Sequence, residues 1–319
     1  MNIQLLLDNF TNPAFLFFLL GVLAVRIKSD LEIPQNSSKF ISLYLLFAIG
    51  FKGGQELAHS TFSWSIISSV VYGILVACLI PFYTFFILKR RFSIENAGAI
   101  AAAYGSVSAV TFVTAVSFLE MQQQAFHGYM VAIMALMEAP AIIIGVLLIK
   151  IFSKESQTGV KVRSVIHHAF TNGSVLLILG SLLIGFLASE KEAEGIKPFT
   201  TDIFKGFLAI FLLDMGISSG RKLKDFLESG KFTAAFAVII PLINGTIVAY
   251  TSQFCCNSVG DRFIMAILAA SASYIAVPAA MKIAVPKANP GIYLPMALAV
   301  TFPFNITLGF PLYYMVASL

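Results

Sequence analysis

From Ile66 to Leu88 the chain reads IISSVVYGILVACLIPFYTFFIL, 23 residues without a charge. A helix needs about 20 mostly apolar residues to cross the hydrocarbon core of a bilayer. Phe232–Val259 and Phe302–Leu319 are equally free of charge. One such run fits a buried helix of a soluble protein. Ten in a chain of 319 residues do not, because too little polar surface remains to face water. Composition agrees. Hydrophobic residues are 58% and charged residues 12%, where soluble domains carry about 25% charged residues. The sequence therefore reads as an all-α protein of the lipid bilayer.

Working outward from that run, helical spans are expected at 12–27, 38–57, 62–88, 95–119, 126–152, 166–189, 202–219, 231–255, 262–285 and 291–317. Most loops are short. With the N-terminus outside, 16 of the 21 Lys and Arg fall on the inner side and 5 on the outer. The positive-inside rule then puts both termini on the outer side. The net charge of +5 is thus a topology signal, and no nucleic acid is expected as a partner. Residues 1–12 contain no cleavable signal peptide that can be recognised.

The two halves resemble one another. At an offset of 166, Leu45-Leu46-Phe47-Ala48-Ile49-Gly50 lies on Phe211-Leu212-Leu213-Asp214-Met215-Gly216, and Gly54 on Gly220. At 165, Ser106-Val107-Ser108 lies on Ser271-Ala272-Ser273, and at 163, Pro140 lies on Pro303. Five spans per half is an odd number, so the halves must insert in opposite senses. Inverted repeats of this kind characterise many secondary transporters. The expected units are 1–152, a cytoplasmic linker 153–165, and 166–319.

The fourth span carries Tyr104-Gly105-Ser106-Val107-Ser108-Ala109-Val110-Thr111, and the ninth carries Ser271-Ala272-Ser273-Tyr274-Ile275-Ala276-Val277-Pro278. Gly105 and Pro278 weaken a helix ladder, and Pro278 biases Val277 away from helical geometry. If both helices break here, their free N–H groups form an anion site at mid-membrane without Arg or Lys. Carbonyls freed by the same breaks suit a small hard cation such as Na⁺, with Thr111 nearby. Small and hydroxyl residues also serve close helix packing. Glu138, inside the fifth span, is a candidate cation ligand or proton carrier, and Asn305 in the tenth is a candidate polar contact. Asp214 reads as structural, and Lys52 and Lys282 as side chains snorkelling to the interface.

Enzyme chemistry has no foothold. Glu56 and His59 have Glu-x-x-His spacing, but no second pair completes a transition-metal site. No phosphate-binding loop or hydrolase motif occurs, and no cofactor beyond Na⁺ as a coupling ion is expected. The adjacent Cys255 and Cys256 do not suit a normal bridge, and Cys78 reads as packing.

Three stretches carry a family resemblance. They are Gly105-Ser106-Val107-Ser108-Ala109-Val110-Thr111 through Leu119-Glu120, Met137-Glu138-Ala139-Pro140-Ala141, and Ala269-Ala270-Ser271-Ala272-Ser273 followed by Pro278 and Pro286-Lys287-Ala288-Asn289-Pro290-Gly291-Ile292-Tyr293. In order and spacing they resemble the sodium-dependent bicarbonate transporters of cyanobacteria and other bacteria. That resemblance implies Na⁺-coupled bicarbonate symport across the bacterial plasma membrane by an elevator-like motion, with helices 4 and 9 crossing near the midplane. It implies a core domain of spans 3–5 and 8–10, a gate domain of spans 1, 2, 6 and 7, and a homotrimer. The implied substrate contacts are Ser106, Ser108, Ser271 and Ser273; the residues themselves add Gly105 and Tyr274 beside them, and Ser108, Thr111, Glu138 and Asn305 as candidate cation ligands.

Two departures stand out. Tyr274 replaces an acidic residue of those relatives and removes a charge beside the site. Only 13 residues, Phe152 to Ser164, join the halves where the relatives carry a long polar segment. That argues against a cytoplasmic regulatory partner. Symport of another small anion, or a passive anion channel, remains open from the residues alone.

Overall fold

The structure, a computed structural model, describes residues 11–60, 63–153, 167, 171–227 and 230–319. The expected linker 153–165 lies, apart from Ser153, outside the described residues. Among the described residues there are helices and no strands.

The chain forms α1 (Pro13–Arg26), α2 (Gln35–Ala58), α3 (Trp64–Leu88), α4 (Ile94–Gly105), α5 (Ala109–Met121) and α6 (Tyr129–Phe152). These are followed by α7 (Gly173–Leu187), the short surface helix α8 (Glu190–Lys197), α9 (Phe204–Leu227), α10 (Lys231–Thr251), α11 (Val259–Ala270) and α12 (Ala276–Ala284). The last helical stretch, α13, runs over Pro290–Ala317. Helix is present at each of the ten expected positions. Among the described residues six stretches are long and apolar enough to cross a membrane, whereas α1 and α7 are shorter apolar helices. The protein is a multi-pass helical membrane protein.

Its surface confirms the solvent. Val71, Leu75, Leu79 and Phe82 form one exposed stripe on α3, and Ile239, Ile243, Ile247 and Tyr250 form another on α10. Spacings of three and four residues put each set on one helix face. In water such stripes drive aggregation, but in lipid they are the natural exterior.

Inside, the closest crossings are made by small residues. α1 runs along α9, and α2 along α7. Gly54 meets the backbone of α7 at Leu182, and Gly185 meets that of α2 at Phe51. Gly21 meets α9 at Leu213, and Gly216 meets α1 at Phe18. A methyl group at any of these positions collides with backbone, which cannot yield as a flexible side chain does. Dispersion and close backbone approach hold helices together where lipid gives no hydrophobic drive.

Prolines shape the rest. Pro81 and Pro241 lie within α3 and α10. α13 carries Pro295, Pro303 and Pro311 and widens into π-helical turns at Met296–Thr301 and Asn305–Gly309. Each proline lacks the N–H that would close the ordinary turn.

One expectation needs correction here. Lys52 does not simply snorkel. It reaches Glu120 of α5 at 3.3 Å, and Lys205 reaches the other oxygen of Glu120 at 3.4 Å. His59 faces Glu190 at 3.7 Å.

Candidate substrate and ion site

The fourth and ninth spans are both interrupted. α4 ends at Gly105, Ser106 is extended, and Ser108 caps α5 by accepting from the Thr111 N–H at 3.2 Å. α11 ends at Ala270, Ser271 is extended, and helix resumes at Ala276. The Ser273 hydroxyl accepts from the Val277 N–H at 3.4 Å.

The causes of the breaks differ from the sequence reading. Gly105 remains helical and lies against the ring of Pro81, so its lack of a side chain makes room rather than a turn. Pro278 does not create the second break. It lies in the first turn of α12, where its missing N–H has no helical partner to lose, and Val277 is helical.

The interrupted segments are stitched together. The Ser108 N–H donates to Ser271 Oγ at 2.9 Å, and the Ser273 N–H donates to the Ala103 carbonyl at 2.8 Å. The Ser271 hydroxyl in turn donates to the Leu268 carbonyl at 3.0 Å. Asn305 Nδ2 donates to the Ala270 carbonyl at 2.8 Å, and Asn305 Oδ1 accepts from Tyr313 at 3.2 Å. Thr301 donates to the Ala237 carbonyl at 2.8 Å, so it accepts from Tyr104 at 2.8 Å.

One small cavity, about 30 Å³, opens between the two restarted helices. Ser108, Ala109 and Val110 line it from the first turn of α5, and Ser273, Tyr274 and Ala276 from the start of α12. Both helix N-termini therefore point partial positive charge at one place. Glu138 of α6 completes the wall. It is half-buried and has no hydrogen bond or ion pair among the described residues. The volume accommodates one water-sized particle. Most of the wall is apolar, with Leu46, Val107, Met134, Val175 and Ile178 among its residues. Its polar groups are the Ser108, Ser174, Ser273 and Tyr274 hydroxyls and the Glu138 carboxylate, with no nucleophile–base pair.

The family model of the Na⁺-dependent bicarbonate transporter superfamily matches residues 13–318. The chain belongs to the Na⁺-dependent bicarbonate transporter superfamily. It is a transporter and not an enzyme. No curated protein matches the chain.

Within this transporter the expected site residues separate into two groups. Ser108, Ser273, Tyr274 and Glu138 share the small cavity. Gly105, Ser106, Thr111, Ser271 and Asn305 lie outside its wall. Ser271 and Asn305 hold the break together. Ser106 Oγ is fully buried and has no hydrogen-bond partner among the described residues.

A larger cavity of about 430 Å³ adjoins the small one, and Ser174, Tyr274 and Ile275 line both. Lys39 and Arg221 also line it, so it leads to the face rich in basic residues. A cavity of about 970 Å³ on the opposite face shares no lining residue with the site. The Lys52–Glu120–Lys205 ion group lies on that closed side.

Sequence reasoning missed Asp261. It is fully buried and accepts from the His127 N–H at 2.8 Å, from Tyr129 at 2.9 Å, and pairs with His127 Nδ1 at 2.6 Å. Its signal was an acidic residue three after the N-cap Ser258, a first-turn position that reads as ordinary capping.

Proposed function

We propose that the transporter couples inward movement of Na⁺ to uptake of bicarbonate. The carrying observation is the convergence of two helix N-termini and the unpaired Glu138 on one cavity. The N–H groups of α5 and α12 suit the anion. Glu138 with the Ser108 and Ser273 hydroxyls suits Na⁺, the one small particle the cavity holds. The neutralised carboxylate tolerates the anion's charge beside it, with the anion's bulk extending past Tyr274 into the adjoining cavity. Tyr274 supplies a neutral hydroxyl donor at the anion's edge.

The supporting geometry favours an inverted repeat of ten spans. Asn96 Oδ1, three residues after the N-cap of α4, accepts from the Asn289 N–H at 2.7 Å. Asp261, three after the N-cap of α11, accepts from the His127 N–H in the same way. In spans 2 and 7, Gly54 and Gly216 make the equivalent close crossings, an offset of 162. That is four residues, one helical turn, from the 166 read along Leu45–Leu57.

In this reading α3–α6 and α10–α13 form the core domain, and α1, α2, α7 and α9 the gate. Stitched to one another, the broken helices travel as a unit past the gate, which favours an elevator-like mechanism in a homotrimer. The face bearing Lys39 and Arg221 is cytoplasmic, both termini lie outside the plasma membrane, and the cavity beside Tyr274 is the inward path.

The test is uptake of labelled bicarbonate into proteoliposomes under an inward Na⁺ gradient, with a K⁺ gradient in its place as control. Uptake with Na⁺ alone is expected. Equal uptake under both gradients overturns Na⁺ coupling, and none under either, from folded protein, overturns bicarbonate as substrate.

A further inference from the structure

Asp214 lies inside α9 and is 7% exposed. Its carboxylate accepts from the Ser38 hydroxyl of α2. No other hydrogen bond and no ion pair reaches it among the described residues. Arg221, two turns further along α9, is directed to Glu32 at 3.4 Å. Lys39, beside Ser38, is exposed and makes no ion pair among the described residues. One neutral hydroxyl does not neutralise a buried carboxylate, which calls for a cation or a proton.

The surroundings decide which. Asp214 lines the 430 Å³ cavity together with Ser38, Ser42, Ser174, Ser218 and Tyr274. All are hydroxyl-bearing residues, and neither His nor Cys contributes to the wall. A carboxylate among hydroxyls is a donor set for a hard cation that keeps part of its water shell. The cavity touches the small site through Tyr274, Ile275 and Ser174.

We propose that Asp214 anchors a second Na⁺ station, on the path between the Glu138 site and the basic face. It rests on the sodium-coupled reading above. An ion leaving Glu138 passes Tyr274, is held by Asp214 and the Ser38 hydroxyl, and is then released past Lys39 and Arg221. The two positive side chains at the rim weaken the station, which suits a place of departure.

The test is equilibrium dialysis of the full, detergent-solubilised chain with radioactive Na⁺, for the natural protein, Asp214→Asn, Glu138→Gln and Ser38→Ala. Asp214→Asn is expected to lose one bound Na⁺ per chain, and Ser38→Ala to weaken that ion at least threefold. An Asp214→Asn isotherm identical to the natural one overturns the proposal. If Asp214→Asn does not fold, an unchanged isotherm for Ser38→Ala overturns it instead. If Glu138→Gln binds Na⁺ in full while Asp214→Asn does not, the Glu138 reading fails and this station stands. If Asp214→Asn abolishes proton uptake on acidification and leaves Na⁺ binding intact, the group is a proton site and the proposal falls.

Discussion

α4 gives way to Ser106 at φ −87° and ψ 168°, and α11 gives way to Ser271 at φ −83° and ψ 166°. The two backbones leave their helices in the same direction, yet the two hydroxyls have different fates. Ser271 Oγ accepts from Ser108 and donates to Leu268. Ser106 Oγ makes no hydrogen bond among the described residues. Matching sequence and matching backbone therefore do not make matching roles. One serine joins the two breaks, and the other is left with its hydrogen-bonding capacity intact. The second break is also longer, five residues from Ser271 to Ile275 against three from Ser106 to Ser108, and the added length carries Tyr274.

The largest effect is expected where both breaks face the same partner. Glu138→Gln removes the only carboxylate lining the small cavity among the described residues, and Na⁺-driven uptake is expected to fall by about 100-fold or more. Flux in proteoliposomes measures it. An uptake rate within twofold of the natural protein shows that the breaks alone make the site.

Ser271→Ala separates stitching from binding. It leaves the buried Ser108 N–H without an acceptor, a loss of about 1–3 kcal/mol of stability. A lowered thermal midpoint in detergent is the expected readout, and an unchanged one denies the cross-link.

Ser106→Ala is the counterpart. No protein hydrogen bond is lost, so stability is expected to stay within about 0.5 kcal/mol. Ser106 lies outside the wall of the small cavity, so bicarbonate affinity is expected to stay within about twofold as well. Reversed outcomes for the two serines would exchange their roles.

The smallest effect concerns the closed face. Glu120 and its two lysines are partly exposed, with side chains 30%, 37% and 69% accessible. Such pairs contribute up to about 1 kcal/mol. Glu120→Gln is expected to move the balance toward opening on that face by up to about fivefold. The labelling rate of a cysteine introduced at Ile49, which lines the pocket beside Glu120, reports it, and an unchanged rate removes the ion group from the conformational balance.

Span positions were legible because lipid imposes one simple requirement, length without charge, and Ile66–Leu88 meets it plainly. The sites of the two breaks were legible from paired serines. Their cause was not, because Pro278 reads as a helix breaker wherever it stands, and only knowing that α12 starts at Ala276 makes it harmless. Asp214 read as structural because its span seemed remote from Ser273, whereas folding brings it and Tyr274 to one cavity. Lys52 read as snorkelling because its partner Glu120 is 68 residues away in sequence. Sequence reports what each residue demands of its surroundings. Which distant residue answers that demand is decided by packing.

The hydrogen bonds from Ser108 to Ser271 and from Ser273 to Ala103 fasten the two interrupted segments behind the small cavity to one another. On the elevator-like reading proposed above, segments fastened in this way move as one body and the cargo rides with them. The limiting resistance then lies in the sliding contact between two protein surfaces and the lipid that must deform around them. Turnover becomes a mechanical quantity, set by membrane thickness and viscosity more than by the chemistry of the ions carried.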